Sequence, residues 1–243
     1  MEIKRTHDRL YLGENYKENP KEYYKYIKRV IEKEFGEKVL NPDFELLDVG
    51  CETGSFLYYL RNNFSEIKLT GMDVMPELLE KVNDGISRNK ISTILADISK
   101  GETLPLKKYN VVTMLGVLSI FDNFEVVIDN LLNMVADNGR LYIFGIFNPE
   151  DLDVLIKVKK STQKDNVWES GWNCISKCSV ENLIKERGFK CKFEKFQLDI
   201  EIPKHKDDPL RSWTEDMANN EKMVVNGIQL IHHFYLCEIH KMK

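Results

Sequence analysis

The chain has 243 residues, 42% of them hydrophobic, with 35 basic and 39 acidic side chains and a formal net charge of −4. That much apolar material builds a sizeable core, and the interspersed charges form no phosphate-tracking basic face, which excludes nucleic acid as an expected partner. No segment reads as a transmembrane helix, so no membrane insertion is expected, and the opening MEIKRTHDRL carries charge where a signal peptide has its apolar core.

Asn19-Pro20 opens the first expected helix, with apolar positions at Tyr23, Ile27, Val30, Ile31 and Phe35 and a stop at Gly36. Strands and helices then alternate. ELLDV is a strand, Thr53 to Arg61 a helix, IKLTGMDV a strand, and Pro76 to Val82 starts a helix. ISTILAD and NVVTMLGV are strands, Asn123 to Val135 is helical, Asn138-Gly139 is a turn and RLYIFGIF a strand. Such alternation implies crossover units and a mainly parallel sheet with helices on both faces.

After Asn148 the pattern changes. A helix is expected near Glu150 to Lys159, then a polar stretch with Trp168 and Trp172, then a helix capped by Ser179 and ended before Gly188. A strand follows near Lys190 to Leu198. Two turn signals, Asn219-Asn220 and Asn226-Gly227, flank EKMVV and precede a long final strand, IQLIHHFYLCEIH. Cys51, Cys174, Cys178, Cys191 and Cys237 are odd in number and scattered, and read as reduced thiols in a cytoplasmic protein. Cys174 and Cys178 have no second Cys/His pair at ligand spacing, so no metal site is expected.

Three acids fall at three strand ends, Asp48, Asp73 and Asp97. Each alone suits an ordinary turn. Together they stand where an open α/β sheet binds its ligand. Gly50 and Gly54 in LLDVGCETG allow a sharp turn and close approach of backbone to ligand, and the next helix points its N-terminal amides there. Glu52 stands where a dinucleotide fingerprint would have its middle glycine, which disfavours a nicotinamide enzyme.

LLDVGCETG resembles the first motif of class I S-adenosylmethionine-dependent methyltransferases, LTGMDV their second, ILADI their third, VVTMLGVLSIFDN their fourth-strand segment and ADNGRLYIFGIF their fifth strand. The resemblance covers about Phe44 to Phe147 and implies a doubly wound, mainly parallel seven-stranded sheet, with N-terminal helices and a C-terminal β-hairpin addition. It implies S-adenosyl-L-methionine as cofactor and S-adenosyl-L-homocysteine as product. Asp48, Gly50, Cys51, Thr53 and Gly54 would hold the methionine end. Asp73 and Val74 would meet the ribose, and Asp97 and Ile98 the adenine. Leu115 and Gly116 would line the methyl-donor site, with Tyr11 and Tyr16 closing over it. Glu52 departs from the family pattern and is expected to face solvent.

The whole chain is expected to be a single methyltransferase domain: a helical lid region over 1–40, the cofactor core over 41–148, and acceptor-side elements over 149–243. Ser119, His232 and His233 are the candidate catalytic groups, each with an equal or better structural explanation. Trp168 and Trp172 stand where acceptor pockets are built. Arg211 suits an anionic acceptor but equally a solvated surface, as does His205. The expected acceptor is a small molecule. The tail weakly resembles enzymes that tailor surface polysaccharides, so a sugar oxygen or a sugar-linked phosphate-type group is the first expectation. An amine or carboxylate of another metabolite, a protein side chain, and a binding-only protein are the alternatives. Nothing in the sequence speaks to oligomeric state.

Overall fold

A computed structural model describes residues 12–13, 17–162, 167–218 and 221–242. The strands are β1 Glu45–Val49, β2 Lys68–Asp73, β3 Ser92–Leu95, β4 Tyr109–Leu115, β5 Val135–Asn148, β6 Lys157–Val158, β7 Glu169–Ser170, β8 Ile175–Ser176, β9 Phe189–Lys195, β10 Trp213–Asp216, β11 Lys222–Val225 and β12 Phe234–Lys241. The helices are α1 Glu22–Phe35, α2 Ser55–Asn63, α3 Pro76–Leu79, α4 Phe124–Asn133 and α5 Lys177–Glu186.

The main sheet runs β3-β2-β1-β4-β5-β12-β9, seven strands in a row, with short β8 added beside β5. β1 through β5 pair in parallel, while β12 is antiparallel to both neighbours. The doubly wound expectation is met, and the reason is visible in adjacent residues. Leu46, Val111 and Tyr142 turn to the face covered by α1 and α2, and Leu47, Val112 and Ile143 to the face covered by α4 and α5. Successive strand residues point to opposite faces, so a strand buried on both sides is apolar throughout.

Several expected elements differ. The stretch Glu150 to Lys159 is extended rather than helical: Val154 exchanges backbone hydrogen bonds with Cys174, and the Ile156 amide donates to Asn173 Oδ1 at 2.7 Å. Pairing across the insert outweighs local helix propensity there. α3 is only one turn long, and the chain beyond it is held by Asn83, whose side chain pairs with both backbone groups of Ile91. Asn138-Gly139 lies inside β5, where the Gly139 position is crowded by backbone carbonyls of Tyr109, Asn110 and Ala136. Ser176, not Ser179, caps α5 by accepting from the Cys178 amide; Ser179 donates to Asp153 instead.

The tail does form a hairpin, β10 with β11, but as a separate two-stranded sheet. The final strand starts only at Phe234. Asn226 turns the chain by accepting from the amides of Ile228 and Gln229, and Gln229 sits at a positive φ of 64°, which breaks an extended run. His232 and His233 therefore precede the strand instead of alternating within it.

Candidate active site

Strand order reverses between β1 and β4, which opens a crevice at the carboxyl ends of both. Asp48 sits there, 3% exposed, with its register partner Thr113 on β4 donating from Oγ1 at 2.7 Å. Burial pushes the Asp48 pKa up to about 7; the Thr113 bond opposes this, and the carboxylates of Glu52 and Asp73 add to it. Three acids thus face one small space, which suits a ligand that brings positive charge.

The turn after β1 is fixed by β2. The amides of Gly50 and Cys51 both donate to the Met72 carbonyl, at 2.8 and 3.1 Å. Asp73 accepts from the Glu52 amide at 3.0 Å and from the Met75 amide at 3.0 Å. Gly50, Glu52 and Gly54 all have positive φ, at 73°, 52° and 77°. A Cβ at Gly50 would stand 2.6 Å from Val117 Cγ2, and one at Gly54 2.9 Å from Val82. The space beside Gly50 is therefore filled by Val117 rather than left for a ligand. Gly116, by contrast, has a φ of 77° with nothing near its missing Cβ and lies exposed beyond β4. A bound group could fill that cradle.

The remaining expected cofactor residues divide. Thr53 is buried in the turn and Leu115 at the end of β4, while Val74 is an exposed apolar side chain beside Asp73. The Cys51 sulfur lies over Gly71 in the core and donates to the Glu52 carbonyl at 3.7 Å. Ile98 is likewise a core side chain, packed on the α4 side. Asp97 is tied to its own loop by the Ser99 amide and hydroxyl, and Lys100 stands 3.2 Å away. Partial burial opposes its ionisation, but these bonds outweigh it and hold its pKa below the usual carboxylate range. Tyr11 and Tyr16 lie outside the described residues.

A cavity of about 600 Å³ adjoins this crevice. Its aromatic walls are Tyr23, Phe144, Trp172, Phe196 and Phe234. Phe144 stacks between Tyr23 and Phe234, with centroids at 4.6 and 5.8 Å. Two backbone bonds place the cavity next to the donor side. Gly116 donates to the Phe144 carbonyl at 2.7 Å, and Asn173, next to Trp172, donates to the Ser119 carbonyl at 2.8 Å. Lys21, Lys25 and Arg211 bring positive charge to the lining and Glu22 one negative. Lys25 pairs with Glu22, and Arg211 with Asp208.

Of the expected acceptor-side residues, Trp172 and Arg211 line this cavity. Trp172 holds a positive φ of 60°, unusual for so bulky a residue. Trp168 is exposed under Lys159, and His205 is exposed. Ser119 contributes its carbonyl to the Asn173 amide. His232 is 6% exposed, pairs through Nδ1 with Ser212 Oγ at 3.0 Å, and has its pKa lowered to about 4 by burial and by His233. His233 is half-buried, and burial and Lys195 lower its pKa. Sequence reading missed Phe144, Phe196, Phe234 and Ser212. The available signal was an aromatic residue at the same edge of three strands that end up side by side. Among the described residues, no group of three or more His, Cys, Asp or Glu side chains could hold a metal ion.

The strand order, the glycine turn on β1 and the acids at the crevice define the class I methyltransferase fold. Comparison with known proteins agrees. Residues 47–141 match the family described as Methyltransferase domain. A malonyl-[acyl-carrier protein] O-methyltransferase of Ilyobacter polytropus is 25% identical over 185 residues, 74% of this chain and 70% of the relative. The structure of an S-adenosylmethionine-dependent methyltransferase from Clostridium acetobutylicum superposes with a TM-score of 0.58 at 13% identity, covering 93% of this chain and 94% of the other. Magnesium protoporphyrin IX methyltransferase from Synechocystis PCC 6803, with S-adenosylmethionine bound, gives 0.54 at 14% identity, covering 90% and 80%. The chain is an S-adenosylmethionine-dependent methyltransferase, and S-adenosylmethionine is its cofactor. No described helix is long and apolar enough to cross a membrane.

Proposed function

We propose that the enzyme methylates a carboxylate oxygen on a small molecule with an apolar body, held in the aromatic cavity beside the crevice. The observation that carries this reading is the lining: five aromatic rings, with Lys21 beside the ion pairs Lys25–Glu22 and Arg211–Asp208. A hydrophobic acceptor gains from burial there, and the cations favour an anionic oxygen. An acidic acyl group on a carrier, as in the name of the Ilyobacter relative, is one acceptor of this kind. A sugar oxygen, the expectation drawn from the tail, fits such a lining less well.

In the crevice, Asp48 and the turn from Gly50 to Gly54 face the methionine end of the cofactor. Asp73, already fixed by two amides, accepts from the ribose hydroxyls, and Val74 offers an apolar surface to the base. Asp97 lies on the adenine side. Bound there, S-adenosylmethionine would supply an electrophilic methyl, so that a carboxylate electron pair could form the O–C bond as the S–C pair stayed on sulfur, giving a neutral ester and S-adenosylhomocysteine. No proton is released, so this acceptor needs no general base. The protein's part is alignment and exclusion of water, and alignment lowers barriers by roughly 7–11 kcal/mol. Tyr23 of α1, Trp172 and the segment from Phe196 to Ser212 shape the acceptor side.

The test is a methylation assay with radiolabelled S-adenosylmethionine against medium-chain acids, acyl thioesters of dicarboxylic acids, and nucleotide-linked sugars. Base-labile methyl esters from the acids are the expected product. Base-stable methyl ethers from the sugars would sink the carboxylate reading and leave the enzyme class untouched.

A further inference from the structure

Ser212 lines the cavity, and His232 stands behind it. His232 Nδ1 is 3.0 Å from Ser212 Oγ, and its Nε2 is buried without a hydrogen-bond partner among the described residues. The ring is fixed further by its edge-on contact with Phe234 and by its own amide, which donates to the Val224 carbonyl at 2.8 Å. We infer that Ser212 is the residue that recognises the acceptor's anionic oxygen, and that His232 is the positioning residue that aims the serine hydroxyl into the cavity. This rests on the cavity being the acceptor site.

The argument is one of donors and acceptors. A neutral imidazole carries one N–H and one lone pair. Placing the proton on Nε2 would bury an N–H with no acceptor, the rarer and costlier kind of orphan. The proton therefore sits on Nδ1 and donates to Ser212 Oγ. The serine oxygen is then engaged as an acceptor, and its own O–H must point elsewhere. The cavity is where a ligand oxygen can receive it. Such a hydroxyl suits a carboxylate, which only accepts. It offers no help in removing a proton from an alcohol, because Nδ1 is already protonated. The dyad thus discriminates by the acceptor's protonation state, holding one carboxylate oxygen while the other attacks.

Octanoate and 1-octanol are matched probes, and cavity occupancy can be followed by isothermal calorimetry. The wild type is expected to bind octanoate the more tightly. Ser212→Ala should weaken octanoate about tenfold or more, the loss typical of a hydrogen bond to a charged group, and change octanol much less. His232→Phe should do the same, and His232→Asn, which restores an N–H near the Nδ1 position, should recover most of the preference. In turnover with octanoate the Ser212→Ala loss should fall on KM rather than kcat. Long-range proton–nitrogen spectra of the histidine rings, assigned by the His232 variants, should show the Nδ1–H tautomer in the unmutated enzyme. An Nε2–H tautomer overturns the role of His232 whether or not any variant folds. If Leu198→Trp, which fills the cavity, abolishes binding of both probes while Ser212→Ala keeps the wild-type preference, the cavity reading stands and the Ser212 inference falls. If the wild type binds neither probe, or Leu198→Trp changes nothing, the cavity reading itself falls.

Discussion

Thr113 Oγ1 donates to Asp48 Oδ1 across the β1–β4 pair at 2.7 Å, and both side chains are almost wholly buried. This is the central polar contact of the crevice. It holds a carboxyl that desolvation and two neighbouring acids keep from ionising easily, with a pKa pushed up to about 7.

The sign of the resulting pH dependence follows from linkage. The unfolded chain ionises Asp48 near the ordinary value of 3.8, the folded chain only near 7. Between those values the folded state binds more protons, so the stabilisation is complete at low pH and is lost as pH rises through about 7. Its size is on the order of 4 kcal/mol. Denaturant unfolding at about pH 5 and about pH 8 should show somewhat more than half of this loss in the wild type and a flattened difference in Asp48→Asn. Equal slopes in the two proteins would remove Asp48 as the source.

Asp73 joins the turn to the second strand, because its two oxygens receive the amides of Glu52 and Met75. Asp73→Ala should weaken S-adenosylmethionine binding about tenfold or more and lower stability by about 1–3 kcal/mol, since two amides lose their acceptor. Calorimetric titration and urea unfolding read the two effects separately. Unchanged affinity would remove Asp73 from the ribose role.

Gly50 meets Val117, whose Cγ2 would lie 2.6 Å from an added Cβ. Gly50→Ala should cost about 2–3 kcal/mol, part from the clash and part from the positive φ. Adding Val117→Ala should return the clash part and leave the backbone part, so the pair should couple by about 1 kcal/mol or more. Strictly additive losses would mean that the contact with Val117 is not what excludes a side chain at position 50.

Phe144 touches Tyr23, Phe196 and Phe234 through its ring, while its carbonyl accepts from the Gly116 amide on the donor side. Phe144→Ala should lower stability by about 3 kcal/mol. It should also raise the acceptor KM while leaving S-adenosylmethionine affinity nearly unchanged. A variant that lost both affinities equally would show that crevice and cavity are one site.

The turn after β1 was legible in the sequence because it is local. An acid at a strand end, a glycine turn and a following helix are neighbours in the chain, and Asp48 does end β1 with Gly50 and Gly54 in the turn before α2. The direction of two side chains was not legible: Cys51 and Ile98 point into the core, because whether a turn residue's side chain faces outward or into the sheet depends on packing from another strand. The extended stretch after Asn148 was missed for a similar reason: Val154 is held by Cys174, some twenty residues on.

The sequence by itself determined the alternation of strands and helices, the two-faced apolar sheet and the order of the cofactor motifs. Each follows from side-chain period and turn chemistry within a few residues. Only the tertiary structure decided the aromatic cavity beside the crevice. Its rings come from α1, β5, the insert, the segment after β9 and the start of β12. Ser212 and His232 stand 20 positions apart in the chain. What brings them together is β11: it pairs with β10 directly after Ser212, through Trp213 and Val225, and its Val224 and Val225 also pair with His232 and Ile231.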